Sequence, residues 1–293
     1  MRRKSDGRLV QCGREISDVD VEQIIETVTL CSGLSLTELV LTICENMEWQ
    51  SFSGGLKADA CLKLLTKMEQ NGLVKLPAKR LQKTPTTAKE SAFILPEIEG
   101  PIECNLRDLG PVRLALVKAK EESRLWASYI EHHHYLGYKK PIGCIARYFV
   151  ECDRGKLGCL LFSGAAKSLS ERDSWIGWSY EKRLRNLGLV VNNSRYLIFP
   201  WVTVKNLASH ILGQVERRIG DDWEQQWGYR PVLMETFVDP EHFAGTCYQA
   251  ANWHYLGLTT GMGLARKGKN YTSSPKKIFV RSLVDDFRSA LCS

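Results

Sequence analysis

The chain has 293 residues, 44% of them hydrophobic and 25% charged, with a formal net charge of +7. That balance is the globular average and excludes disorder as the main state, and the length suits two domains rather than one. No apolar stretch approaches the roughly 18–20 residues a membrane span needs. The polar opening Met1-Arg2-Arg3-Lys4-Ser5-Asp6 has no signal-peptide pattern, so a cytoplasmic protein without a membrane partner is expected. The ten cysteines include no CxxC pair, and they read as buried, reduced thiols rather than a zinc or disulfide framework.

The charge is unevenly spread. Residues 15–50 hold eight acids and no Lys or Arg, whereas residues 51–80 hold six bases and two acids. Residues 107–293 hold 27 bases and 18 acids, and the stretch from Arg266 to Arg281 has six bases and no acid. Lys and Arg displace condensed counterions from nucleic acid. The candidate phosphate contacts are therefore Lys57, Lys63, Lys67, Lys75, Arg266, Lys267, Lys269, Lys276 and Lys277. A solvated face is the plainer reading of each run.

In chain order, residues 1–80 read as a winged-helix-like domain. A helix is expected from Asp18 to about Val28. Ser35 and Glu38 then form an S-x-x-E capping box, in which hydroxyl and carboxylate satisfy orphan amide donors. Behind it Leu36, Leu39, Val40, Ile43, Cys44 and Met47 make one apolar stripe. A third helix turns Leu56, Ala60, Cys61, Leu64, Leu65 and Met68 inward and Lys57, Lys63 and Lys67 outward. Asn71-Gly72 stops it, and Leu73–Pro77 is a candidate wing strand. Three helices with a basic third match a unit that lays a recognition helix in the major groove, so DNA is the expected partner. The same unit also serves as a protein-binding module.

Residues 81–105 form the expected linker, with Thr84-Pro85-Thr86-Thr87, Pro96 and Pro101 in polar sequence. Residues 106–293 read as an α/β domain with a basic C-terminal segment, giving an α+β chain overall. Helices are expected over 112–131, 179–187, 206–219 and from Thr246 to near Gly257. Strands are expected at 145–150, 157–162, 195–200 and 231–238, the first two joined as a hairpin through Asp153-Arg154-Gly155-Lys156. This order predicts a mixed sheet with helices on both faces.

Several single residues stand out. His132, His133 and His134 are adjacent, so a regular helix points them about 100° apart and they cannot share one metal; no metal is expected. His133 and His134 either act chemically or cap and pack at a helix end. Glu235 lies inside the apolar run Val232–Val238, where a carboxylate must be paired or face a cleft. Arg195 occupies a similar place in the preceding strand. The two either pair with each other or flank a site, with Glu235 as base or metal ligand, Arg195 as phosphate clamp and Asp173 as second carboxylate. Tyr248 and Asn252 on the late helix are further candidates, against packing for Tyr248 and capping for Asn252. Trp175 and Trp178 either stack a base or fill the core.

Several phrases resemble the DruA family, a component of the Druantia anti-phage system that also occurs beside mobile elements. They include His133-His134-Tyr135-Leu136-Gly137, Arg172-Asp173-Ser174-Trp175-Ile176-Gly177-Trp178, Val191-Asn192-Asn193-Ser194-Arg195-Tyr196-Leu197-Ile198, Glu235-Thr236-Phe237-Val238 and Phe243–Trp253. The resemblance spans about Leu106–Leu283. It implies an anti-phage defence protein, with other defence-system proteins as further partners, or a mobile-element-associated DNA-processing protein. The element order more weakly resembles the acetyltransferase-like (GNAT) fold, which implies a transferase ancestry. That fold's Gln/Arg-x-x-Gly-x-Gly/Ala turn would fall at Phe199–Ala208, which has neither glycine. Acetyl-CoA is therefore not expected, and no cofactor is assigned. Three readings follow: a DNA-contacting defence protein, a nuclease or transferase centred on Glu235, His134 and Arg195, and a non-enzymatic scaffold.

Overall fold

The computed structural model describes residues 2–3, 9–12, 14–31, 34–52, 54–77, 100–141, 143–261 and 274–293. These divide into two compact units. The first holds those up to Pro77 together with Tyr180–Arg185, and the second holds those from Gly100 onward without that short segment.

The first unit opens with an antiparallel sheet of β1 (Arg2–Arg3), β2 (Leu9–Gln11) and β3 (Arg14–Ile16). Three helices follow: α1 (Asp18–Leu30), α2 (Leu36–Asn46) and α3 (Ala58–Gln70). Ser17 with Asp20 and Ser35 with Glu38 form capping boxes at the starts of α1 and α2, satisfying amides that have no partner within the helix. Leu39, Val40, Ile43 and Cys44 of α2 meet Cys61, Leu64, Leu65 and Met68 of α3 in one core. The wing does not follow α3 as expected. Leu73–Pro77 form no strand, because the Leu76 amide donates to the Glu69 carboxylate at 2.8 Å and Pro77 has no amide hydrogen for a ladder. The sheet of this unit precedes its helices instead.

The second unit contains β4 (Ile102–Cys104), β5 (Arg113–Leu116), α4 (Lys120–His133), β6 (Ile145–Cys152), β7 (Gly155–Gly164) and α5 (Ser170–Ile176). Next in the chain comes α6 (Tyr180–Asn186), which but for Asn186 belongs to the first unit, and then, in the second unit, β8 (Val190–Ile198), β9 (Val202–Val204), α7 (Leu207–Trp227) and β10 (Leu233–Val238). The chain ends with α8 (Thr246–Ala250), β11 (His254–Leu258), β12 (Lys277–Ser282) and α9 (Phe287–Cys292). Seven strands form one mixed sheet in the order β11-β12-β10-β8-β7-β6-β5, antiparallel except for β8 beside β10.

Alternation along the strands assigns side chains to the two faces. Tyr148 hydrogen-bonds Asp222 of α7, and the next residue, Phe149, meets the Tyr129 ring of α4. The two helices therefore cover opposite faces. Val191, Met234 and Phe279 belong to the large core that includes α7, whereas Val190, Leu233 and Val280 join Ile176 of α5 and Phe287 and Leu291 of α9.

Several boundaries differ from the sequence reading: β8 begins at Val190 rather than 195, α7 runs on to Trp227 rather than 219, and three further differences change the sheet. Arg113–Leu116, expected within a helix, is the edge strand beside β6, so α4 begins only at Lys120. The helix from Thr246 stops at Ala250, since Asn252 takes a left-handed φ of 59° and sends His254–Leu258 into the sheet. The last part of the expected linker, Ile102–Cys104, pairs in parallel with β9. Its earlier part lies outside the described residues.

A cleft where two parallel strands part

β8 and β10 pair from Val190 opposite Leu233 to Asn193 opposite Thr236. Beyond that rung β8 runs on to Ile198 and β10 to Val238 without pairing each other. The β7–β8 register shifts at the same level: Phe162 faces Asn193 and Leu161 faces Arg195, so Ser194 is skipped. Such a bulge re-aims the residues after it. A cleft of about 340 Å3 opens where the strands diverge.

Its floor is a closed hydrogen-bond set. Tyr248 of α8 donates its hydroxyl to Asn193 Oδ1 at 2.8 Å, and Thr236 Oγ1 donates to the Asn193 carbonyl at 2.9 Å. Asn193 Nδ2 in turn donates to the carbonyls of Arg195 and Leu161 at 3.0 and 3.2 Å. Burial pushes the Tyr248 phenol far above its ordinary range, so it remains a donor at every physiological pH. Gly245 starts α8 at a φ of +81°, where a Cβ would lie 2.8 Å from the Phe279 ring. Only glycine fits there.

The walls carry charge and imidazole. Arg195 is half-buried, donating from Nη1 to the Ser194 carbonyl at 2.7 Å and from Nε to Gly137 at 3.4 Å. No carboxylate among the described residues pairs with it. His134 follows the end of α4, and its Nδ1 accepts the Leu136 amide at 3.2 Å. Burial, and then the charge of Arg195, push its pKa down to about 4, so it is neutral at pH 7. His133 packs edge-on to Trp201 with ring centroids 5.2 Å apart, and burial also lowers its pKa. Burial opposes ionisation of Asp239, but the Glu241 amide and Lys276 hold its carboxyl below the usual value. At the mouth, Tyr135 and Phe243 are 41% and 55% exposed with ring centroids 5.7 Å apart.

Of the residues singled out from the sequence, His133, His134, Arg195 and Tyr248 line this cleft. Glu235, Asp173 and Asn252 do not. Glu235 does not pair with Arg195, because it lies opposite Asn192, three positions before Arg195 on β8. At about 3.3 Å per residue that is roughly 10 Å along the strand. Instead Arg172 of α5, itself fully buried, holds Glu235 Oε2 at 2.7 Å, while the Ala166 amide holds Oε1 at 2.7 Å. Burial pushes the Glu235 carboxyl up, opposed by those two donors. Asp173 takes the other side of the Arg172 guanidinium at 2.7 Å. The three form an ion triad between α5 and β10, with Arg172 and Glu235 fully buried. Asn252 is exposed and serves the turn after α8. Trp178 is buried with the Arg172 guanidinium over its ring, and Trp175 stacks on Phe287 at 5.0 Å, so both are core.

The cationic candidates also separate. Lys63 and Lys75 are exposed and Lys57 is half-buried, all three without a partner among the described residues. The Lys67 amine points to Gln11 Oε1 at 3.2 Å. Lys276 reaches Asp239 at 3.3 Å, and Lys277 donates to the Ala244 carbonyl at 3.0 Å. Arg266, Lys267 and Lys269 lie outside the described residues. Asn193, Thr236 and Arg172 were not among the expected site residues. The polar side chains of Asn193 and Thr236 in apolar strands carry the same signal that singled out Glu235.

Among the described residues, no group of three or more His, Cys, Asp or Glu is placed to hold a metal ion. No helix among them is long and apolar enough to cross a membrane. Fold and site thus define a mixed-sheet α/β protein with a ligand-sized cleft at the divergence of two central parallel strands. The chain belongs to the DruA family, whose sequence model, described as Druantia protein DruA, matches residues 67–273.

No curated protein matches the chain. Among solved structures, the chain is similar to the aminoglycoside acetyltransferase AAC(6')-Ib in complex with coenzyme A. That likeness has a TM-score of 0.38 at 15% identity and covers 59% of this chain and 95% of that one. A Drosophila melanogaster polyamine N-acetyltransferase gives 0.37 at 10% identity over 59% and 100% of the two chains. A probable acetyltransferase from Staphylococcus epidermidis gives 0.35 at 9% over 59% and 100%. Likeness at this level carries no inference about substrate or cofactor.

Proposed function

We propose that this chain is an anti-phage defence protein of the DruA type that contacts DNA through the α3 face of a winged-helix-like first unit. One observation carries the reading: Lys63 on α3 and Lys75 just after it are exposed and have no partner among the described residues, while Glu38, Glu45 and Glu48 lie on or just after the preceding helix. A cationic patch beside an acidic segment orients the polyanion toward one face. The basic excess of the second unit adds sequence-independent attraction. Other proteins of the same defence system are the further partners this reading implies, and a mobile-element role would use the same contacts.

The cleft favours a second reading, an enzyme acting on nucleic acid. It supplies a neutral imidazole, a fixed phenol donor and an unmatched guanidinium in one place, the parts of general acid–base and phosphoryl chemistry. The element order supports an acetyltransferase-like ancestry for this unit, but the glycine-free turn at Phe199–Ala208 argues against a coenzyme pyrophosphate there.

The DNA reading is tested by binding of labelled duplex DNA at stepped salt. Lys63→Glu with Lys75→Glu should weaken binding about tenfold or more and lower the salt slope by about 1–2, one per lost phosphate contact. Unchanged affinity and slope would remove the α3 face from the interface.

A further inference from the structure

We infer that the cleft between the diverging ends of β8 and β10 is a nucleotide site, with the base held at Tyr135 and Phe243 and the phosphate at Arg195. The inference deepens the nucleic-acid reading, on which it rests, but it does not use the α3 face.

Three observations converge. First, Arg195 is a half-buried cation with no carboxylate partner among the described residues, and its bonds to the Ser194 and Gly137 carbonyls use two of its five N–H donors. The guanidinium fork matches a phosphate in a bidentate manner. Contrast Arg172, Arg218 and Arg281, each of which is matched by a carboxylate.

Second, Tyr135 and Phe243 are partly exposed aromatics at the cleft's mouth, in a cluster where Tyr135 meets His134 at 5.0 Å and His242 at 4.6 Å while Phe243 is the more open of the two. Exposed aromatics next to a cation are the pairing that single-stranded nucleic-acid binders use, because every base has a stackable face. Third, the cleft's volume of about 340 Å3 falls within the range of about 300–1,000 Å3 typical of small-molecule sites. The carboxylate at the rim, Asp239, is held by Lys276 and the Glu241 amide rather than left to repel an anion.

A free nucleotide and a nucleotide within a strand share this chemistry, and two probes separate them. Labelled oligothymidine and free AMP are titrated against the full chain and against Arg195→Ala, Arg195→Lys, Phe243→Ala and Tyr135→Ala. The expected result is a loss of roughly tenfold or more for Phe243→Ala and for Arg195→Ala, with partial retention in Arg195→Lys. Photocrosslinks from the oligonucleotide should map to the peptides bearing Tyr135 or Phe243. Should Arg195→Ala fail to fold, the exposed Phe243→Ala variant and the crosslink map decide.

Binding of oligothymidine but not AMP makes the ligand part of a strand, and binding of both makes it a nucleotide of either origin. Oligothymidine bound equally by all cleft variants, but lost in the Lys63→Glu and Lys75→Glu variant, overturns the site and leaves the nucleic-acid reading standing. Binding of neither probe overturns the site, and if duplex DNA is also ignored, the reading beneath it as well.

Discussion

Arg172, bonded to Glu235 of β10, and Arg195 of β8 lie against neighbouring strands of the same sheet, and they have opposite fates. Arg172 reaches Glu235 and Asp173 at 2.7 Å each, with no exposed side-chain surface. Arg195 sits where the β8–β10 ladder has ended, and among the described residues it bonds to two carbonyls and no carboxylate. A carboxylate in reach makes the first a strut, and the register of β8 against β10 leaves the second a free donor. Position relative to the last paired rung, not residue type or apparent sequence context, separates the carboxylate-paired arginine from the other.

The contrast predicts its largest effect at the strut. Arg172→Ala leaves Glu235 buried and uncompensated, which costs about 3–5 kcal/mol. That corresponds to a fall on the order of 10 °C in the midpoint of the second unit, read by circular dichroism. A small change would mean that the triad is solvated and the contrast false. Next, Tyr248→Phe deprives buried Asn193 Oδ1 of its 2.8 Å donor and should cost about 1–3 kcal/mol in urea denaturation. Arg195→Ala should cost no more than about 1 kcal/mol by the same measurement, because its carbonyl partners are at the cleft edge. A cost matching that of Arg172→Ala would make both arginines structural.

A separate effect, read against pH rather than by truncation, concerns His134, whose pKa falls from 6.5 to about 4 in the folded chain. Between those values the unfolded state binds more protons than the native state, so stability rises with pH through that window. It is fully present above pH 6.5 and declines as pH falls toward about 4. Denaturation midpoints measured at stepped pH should show that slope, flattened in His134→Gln. An unchanged slope would mean that His134 is not buried beside Arg195.

Much of the first unit was legible because its signals are local. The Ser35–Glu38 box and the α2 stripe lie within three turns of helix, and both appear in the structure. The wing failed for an equally local reason not visible as periodicity: a glutamate seven residues back captured the Leu76 amide. In the second unit, strand existence was legible at β6, β7, β8 and β10. Arg113–Leu116 and His254–Leu258 were misassigned because edge strands are decided by a partner elsewhere in the chain. His133, His134, Arg195 and Tyr248 were recognised individually, whereas nothing in the linear chain showed that they share a cleft.

Alone, the amino-acid order determined the helices of the first unit, the central strands of the second, the family and the set of polar residues set unusually among apolar ones. Tertiary structure decided which of those residues meet. Arg172 and Glu235 are 63 positions apart, and their pairing depends on where α5 docks and on the register of β10 against β8. Capping and periodicity act within a few residues, whereas register is a cooperative choice made by whole strands.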